Sequence, residues 1–276
     1  MSKSTDSLEK LNKVPKHPAP LNLHVPSSAN AVKQVNENRA EWAINLFKQA
    51  GEASGSFHSS YPRAPIPPSG TGTDKARSRE EASRRAKGQI RRYCAHNRLN
   101  RLGTLTFKEP GCYDPRQLRI HLSAFFVELR KSQGRNLPYL WVPEWHPGGH
   151  GLHIHFAVGR YIKRSTIEAA WPHGFVHIKI LGELPHGSEV RDQARIVAGY
   201  LAKCVGKSLL DDRKIEGLHR YDIAQGFRPT AHRIFAPTRH EVITQAIEQM
   251  GSSYKYLWDS NDDEGWQKPP AVYLSW

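Results

Sequence analysis

The stretch PYLWVPEWHPGGHGLHIHFAVG, residues 138–159, constrains the fold more than any other part of the chain. Two runs with strand character, 138–145 and 150–159, are joined by HPGG, so the segment is predicted to form a β-hairpin. Successive side chains of an extended strand point to opposite faces, so Leu152, Ile154 and Phe156 share one face while His153 and His155 share the other. One face is core and the other carries two imidazoles. With the hairpin symmetric about Gly148 and Gly149, Glu144 falls opposite His153, and directly opposed residues share a face.

The neighbouring segments alternate in type. LGTLTF (102–107) has strand character, and DPRQLRIHLSAFFVELRKS follows as a helix, with Asp114 as N-cap, Pro115 at its first position and Leu118, Leu122, Phe125, Phe126 and Leu129 as its apolar stripe. STIEAAW (165–171) opens with a capping-box pattern, GFVHIKIL (174–181) is a strand, and a helix runs on from 188. The order β-α-β-β-α-β-α predicts an α+β fold of ferredoxin-like (split β-α-β) type, an antiparallel sheet with helices on one face and the other face free. Beyond Leu210, HRYDIAQGFRP reads as an ordered loop and TRHEVITQAIEQM as a helix.

Residues 1–73 are rich in Ser, Pro, Asn and Lys and read as a largely disordered N-terminal tail, with one short helix carrying Trp42, Leu46 and Phe47 and ending at Gly51. Residues 74–101 hold ten Lys or Arg against three acidic residues and read as a basic helical arm for phosphate contacts, through Arg84, Arg85, Lys87, Arg91, Arg92, Arg98 and Arg101. A working domain over 102–235 and a C-terminal helix and tail over 236–276 complete the division. The formal charge of +14 favours a nucleic acid or another polyanion as partner. Cys94, Cys112 and Cys204 fit neither a disulfide framework nor a zinc pattern, which points to a reducing, cytoplasmic setting. No run is long and apolar enough for a membrane span, and no signal-peptide core is present, so a membrane partner is not expected.

Two imidazoles and a carboxylate with open positions suit a divalent cation, Mg²⁺ or Mn²⁺ where the ligand is a phosphate. On the helix from 188, Tyr200 and Lys203 are three apart and project from one face. A phenol activated by a neighbouring cation or metal is a nucleophile able to attack a phosphodiester. Tyrosine packing alone is the competing interpretation.

LGTLTF, LHIHF and YLAK, in that order, resemble the three motifs of the HUH endonucleases, specifically the rolling-circle replication initiators of bacteriophages and plasmids. The resemblance spans roughly 98–230. It implies a site-specific nick in one strand of replication origin DNA, with a tyrosine linked to the 5′ phosphate and a freed 3′ hydroxyl that primes synthesis. On that basis His153 and His155 match the metal-binding pair, Glu144 the third ligand by spacing, Tyr200 the nucleophile and Lys203 the lysine of the third motif. Thr104 and Thr106 lie in the first motif and take no catalytic part. Host DNA polymerase and helicase are implied partners, since the chain has no phosphate-binding loop of Walker type. A single tyrosine occupies the helix; Tyr221, in the later loop, is a candidate for a second transfer, with packing as the alternative. The competing functions are a sequence-specific DNA-binding protein without catalysis, a transposase or relaxase of a mobile element, and a metal hydrolase that uses activated water.

Overall fold

The computed structural model describes residues 40–59, 74–134, 136–146, 148–180, 189–210 and 219–276. The tail assigned to 1–73 falls outside these at 1–39 and 60–73. Among the described residues the elements are β1 (Glu41–Phe47), β2 (Glu52–His58), α1 (Lys75–Asn97), β3 (Arg101–Phe107), α2 (Pro115–Ser132), β4 (Tyr139–Trp145), β5 (Leu152–Val158), α3 (Arg164–Ala170), β6 (Gly174–Ile180), α4 (Val190–Leu210), β7 (Asp222–Ile223), β8 (His232–Ala236), α5 (Arg239–Met250), β9 (Tyr256–Asp259) and β10 (Ala271–Ser275). None of the helices is long and apolar enough to cross a membrane.

The first sheet has the order β6-β3-β5-β4-β7, and every pairing in it is antiparallel. Strand β5 lies between β3 and β4, which is the split β-α-β arrangement expected for an α+β chain of this pattern. Helix α2 begins where the sequence places it: the Asp114 carboxylate accepts the Arg116 N–H at 2.8 Å, and Pro115 occupies the first turn. Its stripe, Leu118, Leu122, Phe125, Phe126 and Leu129, packs with Trp171 onto Leu105, Trp141, Ile154 and Phe156. Gly103 permits this packing, since a Cβ there would come within 2.2 Å of the Phe156 ring. Helix α3 starts at Arg164 without a side-chain cap, so the capping box expected from Ser165 does not form. The Glu168 carboxylate that would complete it is taken by Arg164, at 2.7 Å.

The opposite face, expected to be free, is covered in large part by α1 and α4. Ile90, Tyr93 and Cys94 of α1 and Ala194, Val197, Ala198, Leu201 and Val205 of α4 pack onto Leu102, Leu140, Val142 and Ala157. On β5 and β4 this cover stops at the end that carries His153, His155 and Glu144. Apolar residues fill one end of the face and polar ones the other.

The short helix expected around Trp42 is instead β1, and the tail expected after 250 supplies β9 and β10. These strands form a second antiparallel sheet, order β8-β1-β2-β10-β9, with Val242 and Ala246 of α5 on it. Trp42, Ile44 and Leu46 alternate inward along β1, and that period of two competes with the helical reading of Trp42, Leu46 and Phe47. The deciding partners, β8 and β10, lie some 190 to 230 residues on in sequence, beyond any local pattern. Gly51, at φ 64°, closes the β1–β2 connection in the left-handed region.

Candidate active site

Strands β4 and β5 pair in the register Glu144↔His153, with Val142↔His155 one step inward. The hairpin geometry drawn from Gly148 and Gly149 is therefore the one found. His155 Nε2 lies 3.1 Å from Glu144 Oε2 and 3.1 Å from His153 Nε2, and His153 Nε2 lies 3.7 Å from the same carboxylate oxygen. All three side chains are largely shielded from solvent, at 15% exposure for Glu144 and less for the imidazoles.

The electrostatics follow from this shielding. The hydrogen bond with His155 holds the Glu144 carboxyl down at about 2 against the opposing effect of burial, helped by the Cys204 thiol and Lys207. Burial, then the neighbouring His155, pushes His153 down to about 4. Near neutral pH the cluster thus holds an ionised carboxylate beside a neutral His153, the protonation states in which such groups ligate a cation. Convergent N, N and O donors of this kind fit a divalent ion.

Two further side chains, not singled out from the sequence for this role, reach the cluster. Thr104, paired with His155 across β3 and β5, places its hydroxyl 3.0 Å from His155 Nδ1, so the ring is fixed from behind. Cys204 lies four residues after Tyr200 on α4, and its Sγ, the Glu144 carboxylate and a His155 nitrogen all fall within 4.8 Å of one another. Burial and then Glu144 raise the Cys204 thiol to about 12. Helical i, i+4 spacing from Tyr200 was the available signal for Cys204.

Tyr200 stands over the cluster, its ring edge-on to His155 with centroids 5.2 Å apart, and its side is open to solvent at 38% exposure. Burial, Cys204 and Glu144 raise its phenol above the ordinary value, and Lys207 acts in the opposite direction. Lys203 is exposed and forms no ion pair among the described residues. The lysine that contacts the cluster is Lys207, one turn further along, with Nζ 3.4 Å from Glu144 Oε1.

A cleft of about 360 Å³ opens beside His153, lined among others by Lys108, His146, His150 and Phe175. His146 also serves its turn, accepting the Gly148 N–H at 3.0 Å. Tyr221 is elsewhere: its hydroxyl donates to Gln89 of α1 and its ring packs against the core beneath α1 and α4.

The basic residues divide into two groups. Arg84, Arg85 and Lys87 are on α1 and face solvent to a large extent. Arg91 and Arg92 instead hold the fully buried Glu52 of β2, at 2.8 and 3.4 Å. Arg98 donates to the carbonyls of Gln49 (2.7 Å) and Ala95. The Arg101 guanidinium lies 5.6 Å from the Tyr161 ring centroid.

Residues 100–209 match the family model of the replication-associated proteins of ORF2 type. Over this span the chain belongs with that replication-associated family. The match runs from the residue before β3 into the last turn of α4, so it contains Glu144, both histidines and Tyr200 and omits the second sheet. It bears out the resemblance to Rep-type initiators of phages and plasmids, and with it a part in DNA replication. No curated protein and no solved structure matches the chain.

Proposed function

We propose that the protein is a rolling-circle replication initiator, a metal-dependent endonuclease that nicks one strand of origin DNA and later rejoins ends. The observation that carries this reading is Tyr200 standing over His155 within the cluster that Glu144 completes. His153, His155 and Glu144 would hold Mg²⁺ or Mn²⁺, with Cys204 close enough to add a fourth donor. A cation held there supplies polarisation of a phosphate oxygen and offsets the Glu144 charge that otherwise raises the Tyr200 phenol.

In the reaction the Tyr200 Oη gives up its proton and attacks phosphorus, forming a phosphotyrosine bond. The P–O3′ bond breaks, and the departing 3′ oxygen takes a proton to become the primer hydroxyl. Lys207, held near Glu144, adds positive potential at this point, and Lys203, without an ion pair among the described residues, is available for a strand phosphate. Arg84, Arg85 and Lys87 would add contacts to the phosphate backbone that fix register without reading sequence.

The test is incubation with single-stranded origin DNA and Mn²⁺. A denaturation-resistant protein–DNA adduct forms with the native chain and is absent in Tyr200→Phe, and mass spectrometry names Tyr200 as the linked residue. Cleavage that persists in Tyr200→Phe without an adduct would identify a hydrolase working through activated water. His153→Ala loses cleavage and keeps most DNA binding, since phosphate contacts from Lys and Arg dominate affinity.

A further inference from the structure

A second concave surface lies apart from the cleft beside His153. It is a groove of about 650 Å³ between α1 and the segment around residues 219–229, with Phe47 from the end of β1 at its margin. Arg85, Arg92, Arg220 and Arg228 line it, and Asp222 is the only carboxylate to do so among the described residues. The imbalance is not relieved from outside. Arg85 has one distant ion pair, to Glu81 at 3.9 Å, and Arg228 has none among the described residues. Arg220 donates to the Ser208 carbonyl at 2.7 Å, and burial together with the nearby Arg79 disfavours its charge. Like charges held this close favour an anion that can sit among them.

The groove also offers aromatic surface. Tyr221 is half-buried, its ring fixed by the bond to Gln89, with Arg228 and Arg92 both acting on its hydroxyl. Phe47 carries the Arg92 guanidinium 4.9 Å from its ring centroid. Aromatic faces beside guanidinium groups suit an unpaired base with its phosphates, whereas the bases of a duplex are already stacked on each other. Position adds a third observation: β7 pairs with β4 at Trp141↔Asp222, and Glu144 follows three residues on. That is on the order of 10 Å along the strand, a short step for a DNA chain.

We propose that this groove seats a single DNA strand next to the reacting phosphate, with phosphates on Arg85, Arg220 and Arg228 and one unpaired base against Tyr221 and Phe47. The inference rests on the reading of the substrate as single-stranded DNA. It gives Tyr221 a binding role in place of a second transfer.

Binding is measured in the Tyr200→Phe background without added metal, so that no chemistry intervenes. The probe is a labelled oligothymidylate of about 12 nucleotides, within the range of site sizes for single-strand binders. Arg220→Ala/Arg228→Ala should lower affinity at least tenfold and reduce the slope of log affinity against log salt by about 1.4, near 0.7 per lost phosphate contact. Arg228→Ala alone, which breaks no ion pair among the described residues, should give about half that slope change. The control Arg116→Ala/Arg119→Ala, the same charge change on exposed α2 positions, should leave the slope unaltered. Tyr221→Phe should keep the preference for the single strand over a duplex, and Tyr221→Leu should lose it.

Groove variants with the slope and preference of the control would overturn the proposal. An adduct that survives in Tyr200→Phe while the groove variants lose single-strand affinity removes the nucleophile and leaves the groove standing. Normal adduct chemistry with unaltered groove variants removes the groove alone.

Discussion

Thr104 and His155 face each other across β3 and β5, and the threonine hydroxyl lies 3.0 Å from the imidazole Nδ1, leaving Nε2 to meet Glu144 and His153. A ring anchored at one nitrogen presents the other in a fixed direction, and such outer partners are worth roughly 10- to 100-fold in metal affinity. Thr104→Val keeps the shape of the side chain and removes the hydroxyl. Mn²⁺ affinity, measured by titration calorimetry, should fall at least tenfold in Thr104→Val and recover in Thr104→Ser. Equal affinity in all three proteins would show that packing alone orients His155.

Cys204 makes a second prediction. Its thiol lies within reach of Glu144 and His155, and burial with Glu144 holds it protonated up to about 12. A hard ion such as Mg²⁺ gains little from sulfur, whereas Zn²⁺ or Cd²⁺ can displace the proton and bind the thiolate. Cys204→Ser should weaken Zn²⁺ and Cd²⁺ by more than about tenfold and alter Mn²⁺ by less than about threefold. Cd²⁺ should give a thiolate charge-transfer absorption in the native chain and none in the variant. A uniform change across the metals would mean that Cys204 acts only by packing.

The pH dependence of stability without metal should carry the mark of the cluster. His153 sits at about 4 against an ordinary 6.5, so between those values the unfolded chain takes up a proton that the folded chain resists. Its contribution is whole above 6.5 and is lost as pH falls toward 4. Glu144, at about 2 against an ordinary 4.5, contributes stability that is present above 4.5 and lost as pH falls through about 2. Both slopes have the same sign. Urea denaturation at a series of pH values should show stability dropping below 6.5, and His153→Gln should flatten the portion between 6.5 and 4. An unchanged profile in the variant would place the titrating group elsewhere.

The strands of the first sheet were legible because each carries its own evidence: apolar alternation in β5, a capped and striped α2, and a glycine turn that fixes Glu144 opposite His153. The site was legible to the extent that its residues lie on one hairpin or one helix face. Lys207 was missed because Lys203 lies on the same helix face as Tyr200 in sequence, and only the pitch of α4 against β4 decides which reaches Glu144. Thr104 reads as core for a similar reason: its hydroxyl gains meaning only once β3 is known to lie beside β5. The second sheet was not legible at all. Trp42, Leu46 and Phe47 satisfy a helical period, and the strands that overrule it come from the other end of the chain.

The join between the sheet bearing Glu52 and the helices behind the site gives a last prediction. Glu52 is fully buried and accepts from Arg91 (2.8 Å), Arg92 (3.4 Å) and the Tyr273 hydroxyl (3.2 Å). The Arg195 side chain of α4 adds bonds to the carbonyls of Ala50, Gly51 and Trp276, at 3.2, 2.9 and 3.0 Å. Removing the acid strands two guanidiniums in a partly buried setting, and breaking a buried pair costs about 3 kcal/mol. Glu52→Ala should therefore shift the urea midpoint strongly downward, and Glu52→Gln, which keeps an acceptor, should shift it less. Arg91 then separates structure from binding: Arg91→Ala should destabilise the fold and leave the salt slope of DNA binding near the native value. A lower salt slope at unaltered stability would return Arg91 to the DNA-contacting set and would mean that its bond to Glu52 contributes little to the fold.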